Sequence, residues 1–160
     1  MKKRVSTLLL LMFTLITCLG FAGSASAAPN GTEALYRYYN GTDHFYTTNY
    51  GELGSGKDGY NLEGIQGYIY TQQVADTLPL YRYYNGTEHF YTTSFDELGN
   101  GRDGYVFEGI QGYINSQPQP GTTPLYRYYN GTDHFYTTNF GELGSGRDGY
   151  TLEGIQGYIY

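Results

Sequence analysis

Aromatic and aliphatic residues occur along this chain in short runs, each bounded by Asn-Gly or by glycine-rich segments. In the first unit, residues 35–39 and 42–48 are rich in strand-forming side chains and are separated by Asn40-Gly41, a strong hairpin signal. Residues 59–63 and 67–70 have the composition of two more short strands. The pattern therefore predicts four short strands in each unit.

A two-residue type I′ turn at Asn40-Gly41 fixes the predicted register of the hairpin. Tyr39 then lies opposite Thr42, and Tyr38 lies opposite Asp43. The pattern does not decide which face of the hairpin is buried. Further along, residues 50–53 favour a single helical turn, and the glycines at 64 and 67 permit a bulge or a turn. Ile69 is the expected core residue of the fourth strand, and position 61 is expected to face solvent.

The same unit occurs three times, at residues 35–70, 80–115 and 125–160, with starts 45 residues apart. The first and third copies are identical at 33 of 36 positions, and the second differs from the third at seven. Repetition at this period governs the architecture. Any site that one copy carries is also present three times, which favours repeated binding over a single catalytic centre.

Three units of about 45 residues with four strands each match the dimensions of a β-trefoil. We therefore expect an all-β domain with threefold pseudo-symmetry, β-trefoil-like, in which closure removes exposed sheet edges. A small propeller-like ring is an alternative. Three loosely linked hairpin modules are a weaker one, because so small a unit is marginal alone without a disulfide or a metal.

The first 27 residues have the features of a secretory signal peptide. Lys2, Lys3 and Arg4 precede an apolar stretch at 8–21, and a small-residue cleavage site lies at 25–27. We expect cleavage after Ala27, a secreted, extracellular protein of bacterial type, and a mature domain at 28–160. The apolar stretch is too short for a typical membrane span, so no stable membrane insertion is expected after cleavage. The single cysteine lies inside this segment, so no disulfide is expected in the mature chain.

Charge narrows the range of partners. Without the three basic residues of the leader, 6 Lys and Arg remain against 15 Asp and Glu, a net charge of −9. Nucleic-acid binding needs a basic surface, so nucleic acid is excluded as a partner. All 21 tyrosines lie in the mature part, and tyrosine suits both a small β core and a surface for polar ligands.

The motifs LYRYYN, HFYTT and GY-x-x-EGIQGYI, which begin in the first copy at Leu35, His44 and Gly59, resemble a family of secreted bacterial and fungal repeat domains catalogued as a domain of unknown function. The resemblance covers residues 35–160. Because such domains occur beside secreted hydrolases, peptidases and adhesin-like regions, it implies an accessory binding role. It supplies neither a ligand nor a catalytic residue. The short Asn-Gly turn and the glycine-rich middle segment depart from the family pattern.

A polar cluster at each hairpin is the strongest candidate binding site. Carboxylate, amide and guanidinium groups can bind vicinal sugar hydroxyls, and a tyrosine ring can pack on a pyranose. The same residues also fit a solvated hairpin tip without a ligand. The candidate ligand-binding residues are Arg37, Tyr38, Asn40, Asp43, His44, Arg82, Tyr83, Asn85, Glu88, His89, Arg127, Tyr128, Asn130, Asp133 and His134.

Other polar residues have a simpler interpretation. Glu63 lies in an otherwise apolar strand and is expected to pair with Arg37, as are their counterparts in the other copies. The three histidines would form a zinc site only if they converged, and a 45-residue spacing is no ligand motif. The chain has no recognisable nucleophile, phosphate-loop or metalloprotease motif. No metal, cofactor or catalytic residue is therefore assigned.

These observations predict a secreted, non-catalytic, lectin-like module that binds a glycan or another cell-surface polymer through three equivalent sites. A protein-interaction or structural surface module is the alternative. An accessory hydrolase is a weaker one, because paired carboxylates can meet in space without any sequence motif.

Overall fold

Each repeat folds into three antiparallel strands in the computed structural model, which describes residues 28–160. One helical turn, α1, is formed in the middle copy. The elements are β1 Thr32–Tyr39, β2 His44–Thr47, β3 Asn61–Tyr70, β4 Thr77–Tyr84, β5 His89–Thr92, α1 Phe95–Leu98, β6 Val106–Asn115, β7 Thr123–Tyr129, β8 His134–Thr137 and β9 Thr151–Ile159. The signal-peptide prediction falls on residues 1–27, outside the described residues.

The strands form an all-β architecture. In every copy the first strand lies between the other two, so that β1 pairs with β2 on one side and with β3 on the other. The nine strands belong to one antiparallel sheet, in the order β2-β1-β3-β6-β9-β7-β8, with β4 and β5 branching from β6. No helix among residues 28–160 has the length and apolar composition needed to cross a membrane.

The predicted third and fourth strands are one strand, so each copy has three strands and not four. β3 pairs with β1 along its length, and the register shifts at two points, beside Gly64 and beside Gly67. The shifts leave Glu63 and Gln66 as extra residues on β3. Glycine lets a strand bulge and bend without losing its partner, so the expected bulge is confirmed and the expected break is absent.

The hairpin register also differs from the prediction. Tyr39 lies opposite His44, and residues 40–43 form a four-residue connection. Gly41 has a φ of 103°, but Asn40 does not have the positive φ that a type I′ turn requires. Instead, the side-chain oxygen of Asn40 accepts bonds from the backbone N–H groups of Thr42 and Asp43, both at 2.9 Å. Because side chains alternate along a strand, a shift of two residues leaves each side chain on the same face of the hairpin as in the predicted register.

The core consists of one leucine, one tyrosine and one isoleucine from each copy. In the first copy these residues are Leu35, Tyr46 and Ile69, each only 1% exposed. The prediction for Ile69 is therefore confirmed. Position 61 faces solvent as predicted, and its counterpart in the middle copy, Val106, is 66% exposed.

Buried tyrosines join the copies in a closed cycle of hydrogen bonds. The N–H of Tyr46 donates to the hydroxyl of Tyr91 at 2.7 Å, and that hydroxyl donates to the carbonyl of Tyr46 at 2.8 Å. The same reciprocal pair links Tyr91 to Tyr136 and Tyr136 to Tyr46. Side chains from the next copy therefore satisfy backbone groups of β2, β5 and β8 that no neighbouring strand reaches.

Candidate functional site

The aspartate at the hairpin tip is buried at the joint between two copies. Asp43, 0% exposed, accepts bonds from the backbone N–H and the Nδ1–H of His89, at 2.8 and 2.6 Å. It also accepts a 2.5 Å bond from the hydroxyl of Tyr60. Burial alone would raise the pKa of Asp43, but the bonds from His89 and Tyr60 outweigh it and lower that pKa.

The same joint recurs twice more and completes a cycle. Glu88 accepts from the N–H and Nδ1–H of His134, both at 2.9 Å. Asp133 accepts from the N–H and Nδ1–H of His44, at 2.9 and 2.6 Å. Each carboxylate thus binds the histidine of the following copy, and the third binds that of the first.

The arginines lie at the same joints. Arg37 Nε is 2.7 Å from Glu63 of its own copy, and its Nη2 is 3.2 Å from Glu142 of the third copy. Its guanidinium also lies over the ring of Phe135, 4.7 Å from the centroid. The predicted arginine–glutamate pairs are confirmed in the other two copies at 2.8 and 2.7 Å.

The structure therefore buries most of the predicted ligand-binding residues, either within one copy or at the joints between copies. Tyr38 is 0% exposed, and its hydroxyl donates to the carbonyl of Gly54 at 2.8 Å. The arginines, histidines and carboxylates make the contacts described above, so their hydrogen-bonding groups face protein. The three asparagines are different because they lie at the surface of the hairpin loops.

The three hairpin loops come together around one cavity of about 780 Å³, which we call the hairpin-loop cavity. Of the predicted residues, the three asparagines, Glu88 and Asp133 line it. The tyrosine before each asparagine and the threonine after each glycine also line it, although neither was among the predicted binding residues. The full lining is residues 39–42, 84–88 and 129–133. The repeats predicted three separate sites, whereas this one cavity is lined by residues from all three copies.

The loops present a rigid polar lining. The ring of Tyr39 stacks on that of His44, with centroids 4.2 Å apart, and its hydroxyl donates to the carbonyl of Gly41 at 2.7 Å. The amide oxygen of Asn40 holds the turn, which leaves its NH₂ group outside those bonds. The cavity lining contains no Lys or Arg, so it suits a neutral polar ligand better than an anion.

The three histidines do not converge. Each Nδ1 faces the carboxylate of a different joint. Among residues 28–160, no group of three or more His, Cys, Asp or Glu side chains is arranged to hold a metal ion.

The strands and the hydrogen bonds between copies define an all-β domain built from internal repeats. Each repeat uses side chains of another repeat to satisfy its buried polar groups. The chain belongs to the family described as a domain of unknown function (DUF5648), whose model matches residues 18–101 and again residues 85–160. Comparisons with curated proteins and with solved structures gave no significant match.

Proposed function

We propose that this protein is a non-catalytic carbohydrate-binding module whose ligand occupies the hairpin-loop cavity. The observation that carries the proposal is the convergence of three Tyr-Asn-Gly-Thr loops on one cavity of about 780 Å³. This volume is within the usual range for small-molecule sites, roughly 300–1,000 Å³. A tyrosine ring, an amide and a hydroxyl from each loop supply stacking and both kinds of hydrogen bond, which together suit a neutral sugar.

The closed cycle of joints supports a β-trefoil-like arrangement with threefold pseudo-symmetry, in which each copy offers the same groups to the cavity. The signal-like segment at 1–27 supports export. We therefore propose that the natural ligand is a glycan or another polymer on a cell surface or outside the cell. The acidic charge of the mature chain favours neutral glycans over acidic ones.

A glycan array with the purified protein tests this proposal, and we expect saturable binding to a class of neutral glycans. A Thr42→Val, Thr87→Val, Thr132→Val variant removes three hydroxyls from the cavity lining with little change in side-chain volume. Each hydroxyl also donates to the asparagine oxygen of its own turn, but the two backbone bonds to that oxygen remain. Because each hydrogen bond contributes about 1 kcal/mol, we expect affinity for the best array ligand to fall about tenfold to a hundredfold. Isothermal titration calorimetry measures this change.

The matched control is an Asn61→Val, Thr151→Val variant, which gives all three copies the valine already present at position 106. These positions are exposed and do not line the cavity. The control should bind as the wild type does. A folded protein that binds no glycan would refute carbohydrate binding, and equal affinities of the wild type and the triple variant would refute the site.

A further inference from the structure

A second cavity, of about 450 Å³, lies where the middle copy meets the third, and we call it the junction pocket. Its floor is aromatic and aliphatic, formed by Phe90, Leu98 and Tyr105 of the middle copy and His134 of the third. The rings of Phe90 and His134 meet edge to face at 4.7 Å, and those of Phe90 and Tyr105 lie 5.8 Å apart. The floor is therefore a fixed surface that two copies build together.

The Tyr105 hydroxyl and the His134 Nδ1 of the floor are already bonded, and the His134 Nε2 lies 3.6 Å from Glu153. The hydroxyl of Tyr105 donates to Glu88, and the Nδ1–H of His134 donates to the same carboxylate. These bonds hold both rings in place.

The guanidinium of Arg127 covers one face of the Phe90 ring, 5.0 Å from its centroid, and the ring of Tyr129 stacks on that of His134. What the floor offers a ligand is accordingly the half-buried ring of Tyr105, with the edges of Phe90, Leu98 and His134 beside it.

The rim, in contrast, is charged and open to solvent. It is formed by Glu97, Arg102 and Asp103. The Arg102 Nε–H donates to the backbone carbonyl of Glu97 at 2.7 Å, which fixes the guanidinium beside the pocket. The side chain of Asp103 is 80% exposed, and its nearest oxygen lies 4.0 Å from Arg102 Nε. The Arg102 Nη2 also donates to the backbone carbonyls of Asp96 and Glu97, which leaves Nη1 outside these bonds. The rim thus offers the exposed carboxylate of Asp103 and the Nη1 of a fixed guanidinium.

This combination selects one ligand class. The carboxylate of Glu97 is paired with Arg127 at 3.1 Å, so the charges left at the rim are those of Asp103 and Arg102. An anion would meet Asp103 and a cation would meet Arg102, whereas a neutral polyol can donate to the carboxylate and accept from the guanidinium. An apolar floor below such a rim suits a pyranose, which has a C–H face and a ring of hydroxyls. We propose that the junction pocket is a second carbohydrate site, separate from the hairpin-loop cavity, that binds one neutral pyranose.

The other two joints carry the same residue types at the equivalent positions. The aspartate of the rim is Asp58 in the first copy and Asp148 in the third, and the basic residue is Lys57 or Arg147. Three junction pockets at fixed spacing would bind a repetitive glycan more tightly than one pocket alone. The inference rests on the proposed carbohydrate binding, but it assigns a different site and predicts a different stoichiometry.

Aromatic side-chain NMR during titration with glucose, galactose, mannose and N-acetylglucosamine tests the proposal. We expect at least one of these sugars to shift the ring signals of Phe90 and Tyr105. An Asp103→Gly variant removes the carboxylate without strain, since Asp103 has a φ of 56° that glycine adopts freely. We expect it to weaken the Phe90 and Tyr105 response about tenfold or more.

The matched control is Asp76→Gly, because Asp76 is also exposed, has a φ of 59° and does not line the pocket. It should leave the response unchanged. Shifts confined to the side-chain amide of Asn85 would overturn the junction pocket and leave the hairpin-loop cavity intact. No shift at either site with any of the four sugars would overturn both. Equal weakening by both glycine variants would also overturn the assignment to Asp103.

Discussion

At the scale of single residues, the carboxylates at 43, 88 and 133 matter most for the joints. Each receives two hydrogen bonds from a histidine of the next copy and one from a tyrosine of its own copy. The middle copy uses Glu where the others use Asp, and it makes the same three contacts. The joint therefore requires a carboxylate but tolerates one more methylene.

Replacing Asp43 by Asn should destabilise the fold. The NH₂ group of the amide cannot accept a hydrogen bond. It would replace either the acceptor of the His89 N–H or the shared acceptor of the His89 Nδ1–H and the Tyr60 hydroxyl, so a buried donor loses its partner in either orientation. We expect the free energy of unfolding to fall by about 3 kcal/mol, the usual loss when a buried pair is broken. Urea denaturation followed by circular dichroism measures the change.

Asp43→Glu is the control, because Glu88 already occupies this position in the middle copy. It should cost about 1 kcal/mol or less. An Asn variant as stable as the Glu variant would show that the joint does not depend on the carboxylate.

At the scale of elements, the last strand of each copy meets another copy through a glycine. Reciprocal backbone bonds of 2.7 and 3.1 Å join Tyr68 to Tyr160 and connect the end of the chain to β3. Gly67 lies directly against this contact: a Cβ there would lie 2.5 Å from the carbonyl oxygen of Tyr160 and 2.7 Å from Cδ1 of Ile159. β3 can pass this point only because the residue has no side chain.

Gly67→Ala should therefore push β3 away from the end of the chain. Overpacking of this kind costs about 1–3 kcal/mol, which should appear as a lower midpoint in thermal unfolding. Gly51→Ala serves as the control, since its φ is not positive and the middle copy has Asp96 at the equivalent position. A Cβ there would approach only the exposed Asn49 side chain, at 3.0 Å, and no backbone atom. If both variants melt at the same temperature, the close approach at Gly67 is not a constraint.

At the scale of the whole molecule, buried carboxylates should make the free energy of unfolding depend on pH in acid, and buried tyrosines should do so in alkali. Burial alone would raise the pKa of Asp43, Glu52, Glu97 and Glu142, but bonds from histidine, arginine and hydroxyl groups lower it in each case. Burial and the neighbouring carboxylates raise the pKa of Tyr60, Tyr105 and Tyr150. Burial also raises the pKa of the central Tyr46, Tyr91 and Tyr136.

We expect the protein to be most stable at pH values above the ordinary pKa of the carboxylates and below that of the tyrosines. The contribution of the carboxylates is complete above their ordinary pKa values of 3.8 and 4.5 and is lost as pH falls through the lowered values. The contribution of the tyrosines is complete below the ordinary pKa of 10.0 and is lost as pH rises through the raised values. Tm measured by calorimetry across pH should fall on both sides, and tyrosinate absorbance should rise together with alkaline unfolding.

A Tm that stayed constant in acid would contradict the role given to the carboxylates. Ionisation of all tyrosines near the ordinary pKa, without unfolding, would contradict the role given to the buried hydroxyls.

Local features could be predicted because they depend on neighbouring residues. The prediction was correct that the segments rich in strand-forming residues form strands and that Ile69 lies in the core. It was also correct for the exposure of position 61 and for the pairing of Arg37 with Glu63. The arginine pair was predictable because a carboxylate in an apolar strand is costly unless a cation lies within reach. The family, too, follows from motifs that recur in every copy.

Other features were decided only by the tertiary structure. Whether Gly64 and Gly67 end β3 or bulge it depends on pairing with β1, which forms only when the sheet does. The Asn-Gly turn follows the hydrogen bonds of the Asn40 side chain and not the turn type that the dipeptide favours in isolation.

The joints were the hardest feature to foresee. Asp43 binds His89 and not the adjacent His44, although the two histidines lie in nearly identical sequences. Identical copies offer identical partners, so sequence determined which residue types would meet but not which copy would supply them. That choice was made by the tertiary structure, because only there do the carboxylates of one copy reach the histidine of another and the three hairpin loops line one cavity.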